Sequence, residues 1–164
     1  MKIFYDDEAT QGRISVDEES LATFLVERGM EKKQLKALTI RFRYMAERDH
    51  PDGERRHLLG ACLSPTLVYV YTHNEVDQEY LSEDRLNTTL LHELRHCMQP
   101  DRAAYMEIAY STRPTEADAR AFAKQYKAYR FVTYTPKYSP VPKPTVVLTV
   151  VLSLCLVMKI LHRF

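Results

Sequence analysis

The chain has 164 residues, of which 45% are hydrophobic and 27% charged, with a formal net charge of +1. These values are typical of one compact folded domain and exclude a wholly disordered chain. The balanced charge provides no global basic character of the kind that nucleic-acid binding requires, so no nucleic-acid partner is expected.

The first half of the chain predicts one helix followed by three strands. Asp17 is a predicted N-cap, apolar residues recur after it at helical spacing, and Gly29 is expected to end the helix. Alternating apolar and polar residues predict a strand within Leu38–Tyr44. Two further strands are predicted at about His57–Leu63 and at Leu67–Tyr71. We expect the three strands to form an antiparallel sheet.

The second half predicts helices. Ser82 is a plausible cap for a helix over Arg85–Met98, and a further helix is expected within Asp101–Tyr110. Another helix is expected to begin near Thr115, where Thr115–Asp118 fits a capping box. The order of elements predicts an α+β layer arrangement.

The composition changes after Thr135, where four prolines fall within nine residues and predict an extended linker over 131–144. The apolar run from Thr145 to Leu161 reaches the lower limit of a membrane helix, which is about 17 residues. We therefore predict a globular domain over 1–130 and a transmembrane tail helix over 145–164. Because the N-terminal apolar stretch is too short for a signal peptide, we expect a single-pass tail anchor with the globular domain in the cytosol.

The three cysteines are odd in number and widely spaced, which argues against a disulfide framework or a four-cysteine zinc site. Cys62, Cys97 and Cys155 are interpreted as small buried hydrophobic residues in a reducing compartment.

The segment 92–96 reads His-Glu-Leu-Arg-His and lies on a predicted helix. His92 and His96 are four residues apart, so both imidazoles can reach one zinc ion from the same helix face. Glu93 points elsewhere around the helix and is expected to act on a zinc-activated water as the general base. The leucines at 86, 90 and 94 form a stripe roughly opposite the histidines, which can pack on the sheet.

Catalytic zinc usually has three protein ligands and one open position. Glu116, which lies twenty residues after His96, is the favoured third ligand because the positive end of its helix would keep it ionised. Asp118 and Glu107 are the alternatives.

The segment 92–96 followed by TEADARAFA at 115–123 resembles the minimal gluzincins. More narrowly, it resembles the compact group of phage-immunity and radiation-response metallopeptidases, over about 58–125. This resemblance implies a small zincin-like domain, zinc held by His92, His96 and Glu116, and Glu93 as general base. Arg120 departs from the larger gluzincins, which often have an acid at that position. The helix-turn-helix domain usual in the compact group is not visible, and a proline spacer and apolar tail take its place.

We therefore expect a zinc-dependent peptidase, with an endopeptidase favoured, acting on a protein or peptide substrate near a membrane. Such enzymes commonly pair a peptide with an exposed edge strand, for which Leu67–Tyr71 is the predicted strand. Candidates for oxyanion stabilisation are His73, Tyr71, Tyr80 and Tyr105. The alternatives are a catalytically silent, membrane-tethered zinc module that binds a partner and a tail-anchored adaptor without metal.

Overall fold

The computed structural model describes residues 1–7, 10–44, 59–72, 81–100 and 107–135. They form a mixed α/β fold with six strands and four α-helices. The strands are β1 (Lys2–Tyr5), β2 (Ile14–Val16), β3 (Thr39–Arg43), β4 (Gly60–Ser64), β5 (Leu67–Tyr71) and β6 (Val132–Tyr134). The helices are α1 (Glu18–Glu27), α2 (Lys32–Ala37), α3 (Glu83–Cys97) and α4 (Pro114–Ala123). Two short 3-10 helices span Tyr110–Thr112 and Lys124–Lys127.

The main sheet has the strand order β1-β3-β5-β4, in which β1, β3 and β5 are parallel and β4 is antiparallel to β5. The prediction of a three-stranded antiparallel sheet is therefore wrong, although all three predicted strands exist. Strands β3 and β5 point in the same direction, and β4 points in the opposite direction. However, β5 lies between the other two, because the long connection from β3 to β4 lets β4 take the outer position.

This order also corrects the expectation that Leu67–Tyr71 is an exposed edge strand. In the described part of the chain β5 pairs on both sides, and the edge position beside it belongs to β4. The sequence of β5 suits the centre of a sheet, since Val68 and Val70 are fully buried. Leu63 on β4 is half exposed, as expected of an edge.

Helices α1 and α3 begin as predicted. The Asp17 carboxylate accepts a hydrogen bond from the Ser20 N–H at 3.0 Å, and the Ser82 hydroxyl accepts one from the Arg85 N–H at 3.2 Å. Gly29 follows α1 with a φ of +100°, which favours glycine.

The start of α4 differs from the prediction. Arg113 is the N-cap and Pro114 is the first helical residue, while Thr115 is buried inside the first turn and makes no capping bond. Proline is well suited to the first helical position because that position needs no N–H donor. The predicted capping box is therefore wrong. Of the helix predicted within 101–110, residues 101–106 lie outside the described residues, and Tyr110 begins a 3-10 helix.

The core lies between the main sheet and α3. The leucine stripe at 86, 90 and 94 is fully buried, as are Val68 and Val70 on β5 and Ile40 and Phe42 on β3. Because the leucines occupy the core side of α3, the histidines of the same helix are turned elsewhere. Cys62 and Cys97 are buried, as predicted, with their sulfur atoms 3.5 Å apart and not joined by a disulfide, whereas Cys155 lies outside the described residues.

The C-terminal strand β6 pairs antiparallel with β2, so the described fold continues past Arg130 into the segment assigned to the linker. Asn87 on α3 holds this strand. Its side-chain oxygen accepts hydrogen bonds from the N–H groups of Phe131 and Val132, and its NH₂ group donates to the Val132 carbonyl at 2.7 Å.

The rest of the predicted linker and the predicted tail helix lie outside the described residues. Among the helices that are described, none has the length and apolar character to span a bilayer.

Candidate metal centre

The two histidines of α3 lie side by side. The Nε2 atoms of His92 and His96 are 3.1 Å apart, and their rings are nearly perpendicular, with an interplanar angle of 87°. This arrangement follows from the spacing of four residues, which places both side chains on one face of the helix, one turn apart.

The Glu116 side chain reaches the two histidines from the first turn of α4, a helix that packs against α3. Its Oε2 atom lies 3.2 Å from His92 Nε2, and its Oε1 atom lies 3.3 Å from His96 Nε2. The predicted third ligand is thus brought together with the two histidines. In the described part of the chain, this trio is the group of His, Cys, Asp or Glu residues whose ligand atoms converge closely enough to hold a metal.

The distances can be compared with what zinc requires. Ligand atoms about 2.0–2.1 Å from a tetrahedral zinc ion are separated by about 3.3–3.4 Å. The three measured separations between His92, His96 and Glu116, from 3.1 to 3.3 Å, are close to this value. Two imidazoles and one carboxylate are also a ligand set found in catalytic zinc sites.

Glu116 gives a second indication of a cation. Its side chain is only 4% exposed, and its buried Oε2 atom faces His92 Nε2 at 3.2 Å without a hydrogen bond of good geometry among the described residues. A buried carboxylate oxygen without a well-aligned donor is costly, and a metal ion between it and the imidazoles would compensate for this.

The two alternative ligands do not join the trio. Asp118 forms an ion pair with Arg95, in which Arg95 Nε lies 2.7 Å from Asp118 Oδ2. The hydrogen bond from Arg95 is the main reason that the pKa of Asp118 is lowered. Glu107 is exposed in a turn and is not part of the converging group.

Burial of His92 lowers the pKa of its imidazole, and the neighbouring His96 lowers it further, against the opposing charge of Glu116. A lowered pKa favours the neutral ring, which is the form that binds a metal.

Glu93 is buried beside the trio, at the point where α3 meets β4. A Cβ atom added to Gly60 would lie 2.8 Å from Glu93 Cγ and 2.7 Å from Thr89 Cγ2. Glycine at this position therefore allows the edge strand to approach the turn of α3 that carries Glu93.

Tyr110 is a site residue that the sequence analysis did not identify. Burial raises the pKa of its hydroxyl to about 12, assisted by the charge of Glu116, a hydrogen bond with Glu116 and the charge of Glu93. Its hydroxyl therefore contacts Glu116 and lies within electrostatic range of Glu93, although 57% of the residue's surface is exposed. Nothing in the sequence distinguishes Tyr110 from the other tyrosines, because its position depends on how the 3-10 helix Tyr110–Thr112 packs against α4.

The oxyanion candidates predicted from the sequence are not brought to the site by the described residues. His73, Tyr80 and Tyr105 lie outside them, and Tyr71 is buried at the end of β5. Arg120, in contrast, lies near the site, because its charge lowers the pKa of both His92 and Tyr110.

Comparison with known proteins adds no family to this description. The chain matches no protein-family model, no curated protein and no solved structure. Its function is therefore inferred from the residues of the site.

Proposed function

We propose that this protein is a zinc-dependent metallopeptidase of minimal zincin type, with an endopeptidase as the favoured form. His92, His96 and Glu116 would hold the zinc ion, and Glu93 would be the general base. The observation that carries the proposal is the convergence of two imidazole nitrogens and one carboxylate, with separations of 3.1–3.3 Å, from two packed helices. The residues around this trio support catalysis rather than a structural role.

When bound, zinc would polarise the scissile carbonyl group and lower the pKa of the attacking water to about 7. The Glu93 carboxylate accepts the proton of that water and delivers it to the nitrogen of the leaving amine. Glu93 suits this role because it follows His92 directly on α3 and is buried at 8% exposure. The Tyr110 hydroxyl, which is hydrogen-bonded with Glu116 in this structure, would turn its single hydrogen to the oxygen on which negative charge develops once Glu116 is bound to zinc.

The edge strand β4 is the proposed platform for the substrate. It lies against the turn of α3 that carries Glu93, and its outer side is unpaired in the described part of the chain. An extended peptide could add to this strand by main-chain hydrogen bonds, which would bring a peptide bond past Glu93.

A structural zinc site is less consistent with these residues. Structural sites are usually closed by four Cys or His ligands. In the described residues the converging group has three members, and Glu93 and Tyr110 lie beside them without being needed to hold a metal.

The proposal is tested by zinc content and peptide cleavage on the full 164-residue chain. Wild type, Glu93→Gln and Glu107→Gln are compared on an unbiased peptide mixture from a digested proteome. We expect one zinc ion per chain in all three proteins. Cleavage is expected for wild type and Glu107→Gln, where the exposed Glu107 serves as the matched control, and not for Glu93→Gln. Zinc without cleavage by wild type would favour the silent binding module, and absence of zinc would favour the adaptor.

We also propose that residues 145–164 anchor the protein in a membrane, with the site in the cytosol. The support is the uncharged apolar run from Val146 to Met158 after a proline-rich spacer. Membrane flotation of the full chain and of a chain lacking 145–164 tests this. Loss of flotation on deletion is expected, and equal behaviour of the two chains would contradict the anchor.

A further inference from the structure

The side-chain amide of Gln99 contacts the ring nitrogen of His96 that faces away from the proposed zinc site. Gln99 follows the C-terminal end of α3, and its Oε1 atom lies 2.8 Å from His96 Nδ1. The other ring nitrogen of His96, Nε2, is the one that lies 3.3 Å from Glu116. Gln99 therefore contacts the histidine on the side opposite the metal site.

The orientation of the Gln99 amide follows from its other contacts. Its Nε2 atom lies 2.9 Å from the Thr115 carbonyl oxygen and 2.8 Å from Asp118 Oδ2. A carbonyl oxygen and a carboxylate oxygen facing an amide can only accept, so the NH₂ group must face them. The amide oxygen is consequently the atom that faces His96.

This orientation determines where the proton of His96 lies. An amide oxygen is only an acceptor, so His96 Nδ1 must carry the hydrogen of this contact. In the neutral ring, the lone pair is then on Nε2, the atom that faces His92 and Glu116. The opposite tautomer would place two acceptors 2.8 Å apart and would direct an N–H group into the proposed metal site. The Nδ1–H tautomer leaves Nε2 facing Glu116 Oε1 at the longer distance of 3.3 Å, where a bound cation would lie between the two acceptors.

The contacts continue to the second helix of the site. Arg95 donates from Nε to Asp118 Oδ2 at 2.7 Å and from Nη2 to Asp118 Oδ1 at 3.3 Å, which orients this carboxylate toward Gln99. Gln99 thus connects the end of α3, which supplies two proposed ligands, to the first turn of α4, which supplies the third.

We propose that Gln99 is a positioning residue that holds His96 in the Nδ1–H tautomer and aims its Nε2 lone pair at the metal, with Asp118 and Arg95 fixing the amide. This role deepens the proposed zinc-peptidase function and rests on it. Partners of this kind behind a metal-ligating histidine typically contribute about 10–100-fold to metal affinity.

The first test uses the metal-free protein. The ¹⁵N chemical shifts of the His96 ring are recorded across a pH series, and the tautomer is taken where the shifts themselves show a neutral ring. Wild type should show Nδ1 protonated and Nε2 unprotonated. In Gln99→Leu, the Nε2–H tautomer should become populated. Gln34→Leu is the matched control, because Gln34 donates to the Cys97 carbonyl at 2.6 Å at the same end of α3 and has no contact with His96.

The second test measures zinc affinity by competition with a chelator. Gln99→Leu should bind zinc about 10–100-fold more weakly than wild type, and Gln34→Leu should bind it as wild type does. Gln99→Glu alone should also weaken binding, since its carboxylate faces that of Asp118. Combining Gln99→Glu with Asp118→Asn restores a donor opposite the new acceptor at position 118, while the Thr115 carbonyl oxygen still faces the new carboxylate, so affinity should recover in part relative to Gln99→Glu alone.

The outcomes separate this inference from the proposed function. If wild type binds zinc but Gln99→Leu keeps the wild-type tautomer and affinity, the role of Gln99 is overturned and the zinc site stands. If wild type binds no zinc, the proposed function fails and this inference fails with it, whatever tautomer the metal-free protein shows. If Gln99→Leu does not fold, the zinc affinities of Gln99→Glu and of the Gln99→Glu, Asp118→Asn double variant are compared instead. A folded double variant that binds zinc no better than Gln99→Glu alone overturns the inference.

Discussion

Gly60 on the edge strand lies directly against Glu93 on the helix of the proposed metal site. A Cβ atom at position 60 would lie 2.8 Å from Glu93 Cγ, 2.7 Å from Thr89 Cγ2 and 3.1 Å from the Tyr69 carbonyl oxygen. Such distances are not tolerated by a real side chain. Strand β4 can therefore approach the proposed general base only because residue 60 is a glycine and has no Cβ atom.

Gly60→Ala should consequently damage both stability and catalysis. Because the strand must move away from α3, we expect a loss of about 1–3 kcal/mol in the free energy of unfolding, as for other overpacked sites. Urea unfolding and the peptide-cleavage assay measure the two effects. Adding Thr89→Ser removes the closest clashing methyl group and should recover part of the loss. A Gly60→Ala protein with wild-type stability would contradict the contact.

Tyr110→Phe should lower kcat with little change in zinc content. Removing one hydrogen-bond donor to a developing oxyanion typically costs about 100–1000-fold in kcat. Steady-state kinetics on a cleaved peptide, together with zinc analysis, checks this. Tyr129→Phe is the matched control, since Tyr129 packs against Phe24 and Phe131 and is not part of the site. Equal losses in both variants would count against a role for Tyr110 in the transition state.

Glu116→Gln should weaken zinc binding more than Asp118→Asn does. Glu116 is the proposed carboxylate ligand, whereas Asp118 acts through Gln99. Even supporting groups contribute about 10–100-fold to metal affinity, so the loss of the ligand charge should exceed that range. Chelator competition gives both affinities. The reverse order would indicate that Asp118 is the third ligand.

Asn87→Ala should destabilise the fold strongly. The buried Asn87 amide bonds two main-chain N–H groups and the Val132 carbonyl, and truncation leaves these groups without their partner. We expect a loss of about 2–4 kcal/mol in the free energy of unfolding. Thr88→Ala, at a half-buried neighbouring position whose hydroxyl donates only to the Asp84 carbonyl, should change it by much less, about 0.5 kcal/mol. Similar values for the two variants would show that Asn87 does not hold β6.

Asp6 should make stability fall in acid. Burial alone would raise the pKa of its carboxyl group, but hydrogen bonds and charges from Arg41 and Arg43 outweigh burial and lower it below 3.8. The folded protein therefore binds this proton less readily than the unfolded chain does, so the stabilisation is complete above about pH 4 and is lost as the pH falls through the lowered pKa. Urea unfolding of wild type and Asp6→Asn across this range should show a stability difference that shrinks in acid. A constant difference would contradict the assignment.

The sequence predicted the local features of the site better than the arrangement of the sheet. The histidine pair on α3 and the buried leucine stripe follow from helical spacing alone, and the caps Asp17 and Ser82 act through bonds to residues three positions away. Strand order could not be read in this way. Alternation indicates which side chains face the core, and it contains no information on which strand lies next to which.

The same limit applies to the residues around the proposed zinc ligands. The roles of Gly60, Tyr110 and Gln99 depend on tertiary contacts that the local sequence does not encode. These contacts are β4 against α3, the 3-10 helix Tyr110–Thr112 against α4, and the end of α3 against α4. Helix α2 was missed for a related reason, since none of its residues is buried and it shows no apolar periodicity.

The pairing of β6 with β2 has a consequence for biosynthesis. Asn87, one turn before the histidines, is made long before the residues that bond to its amide, because Phe131 and Val132 come from the end of the described fold. A nascent chain that stops at Arg130 would leave that amide and the second sheet incomplete. The helix of the proposed metal site can therefore reach its final packing only after translation has passed β6.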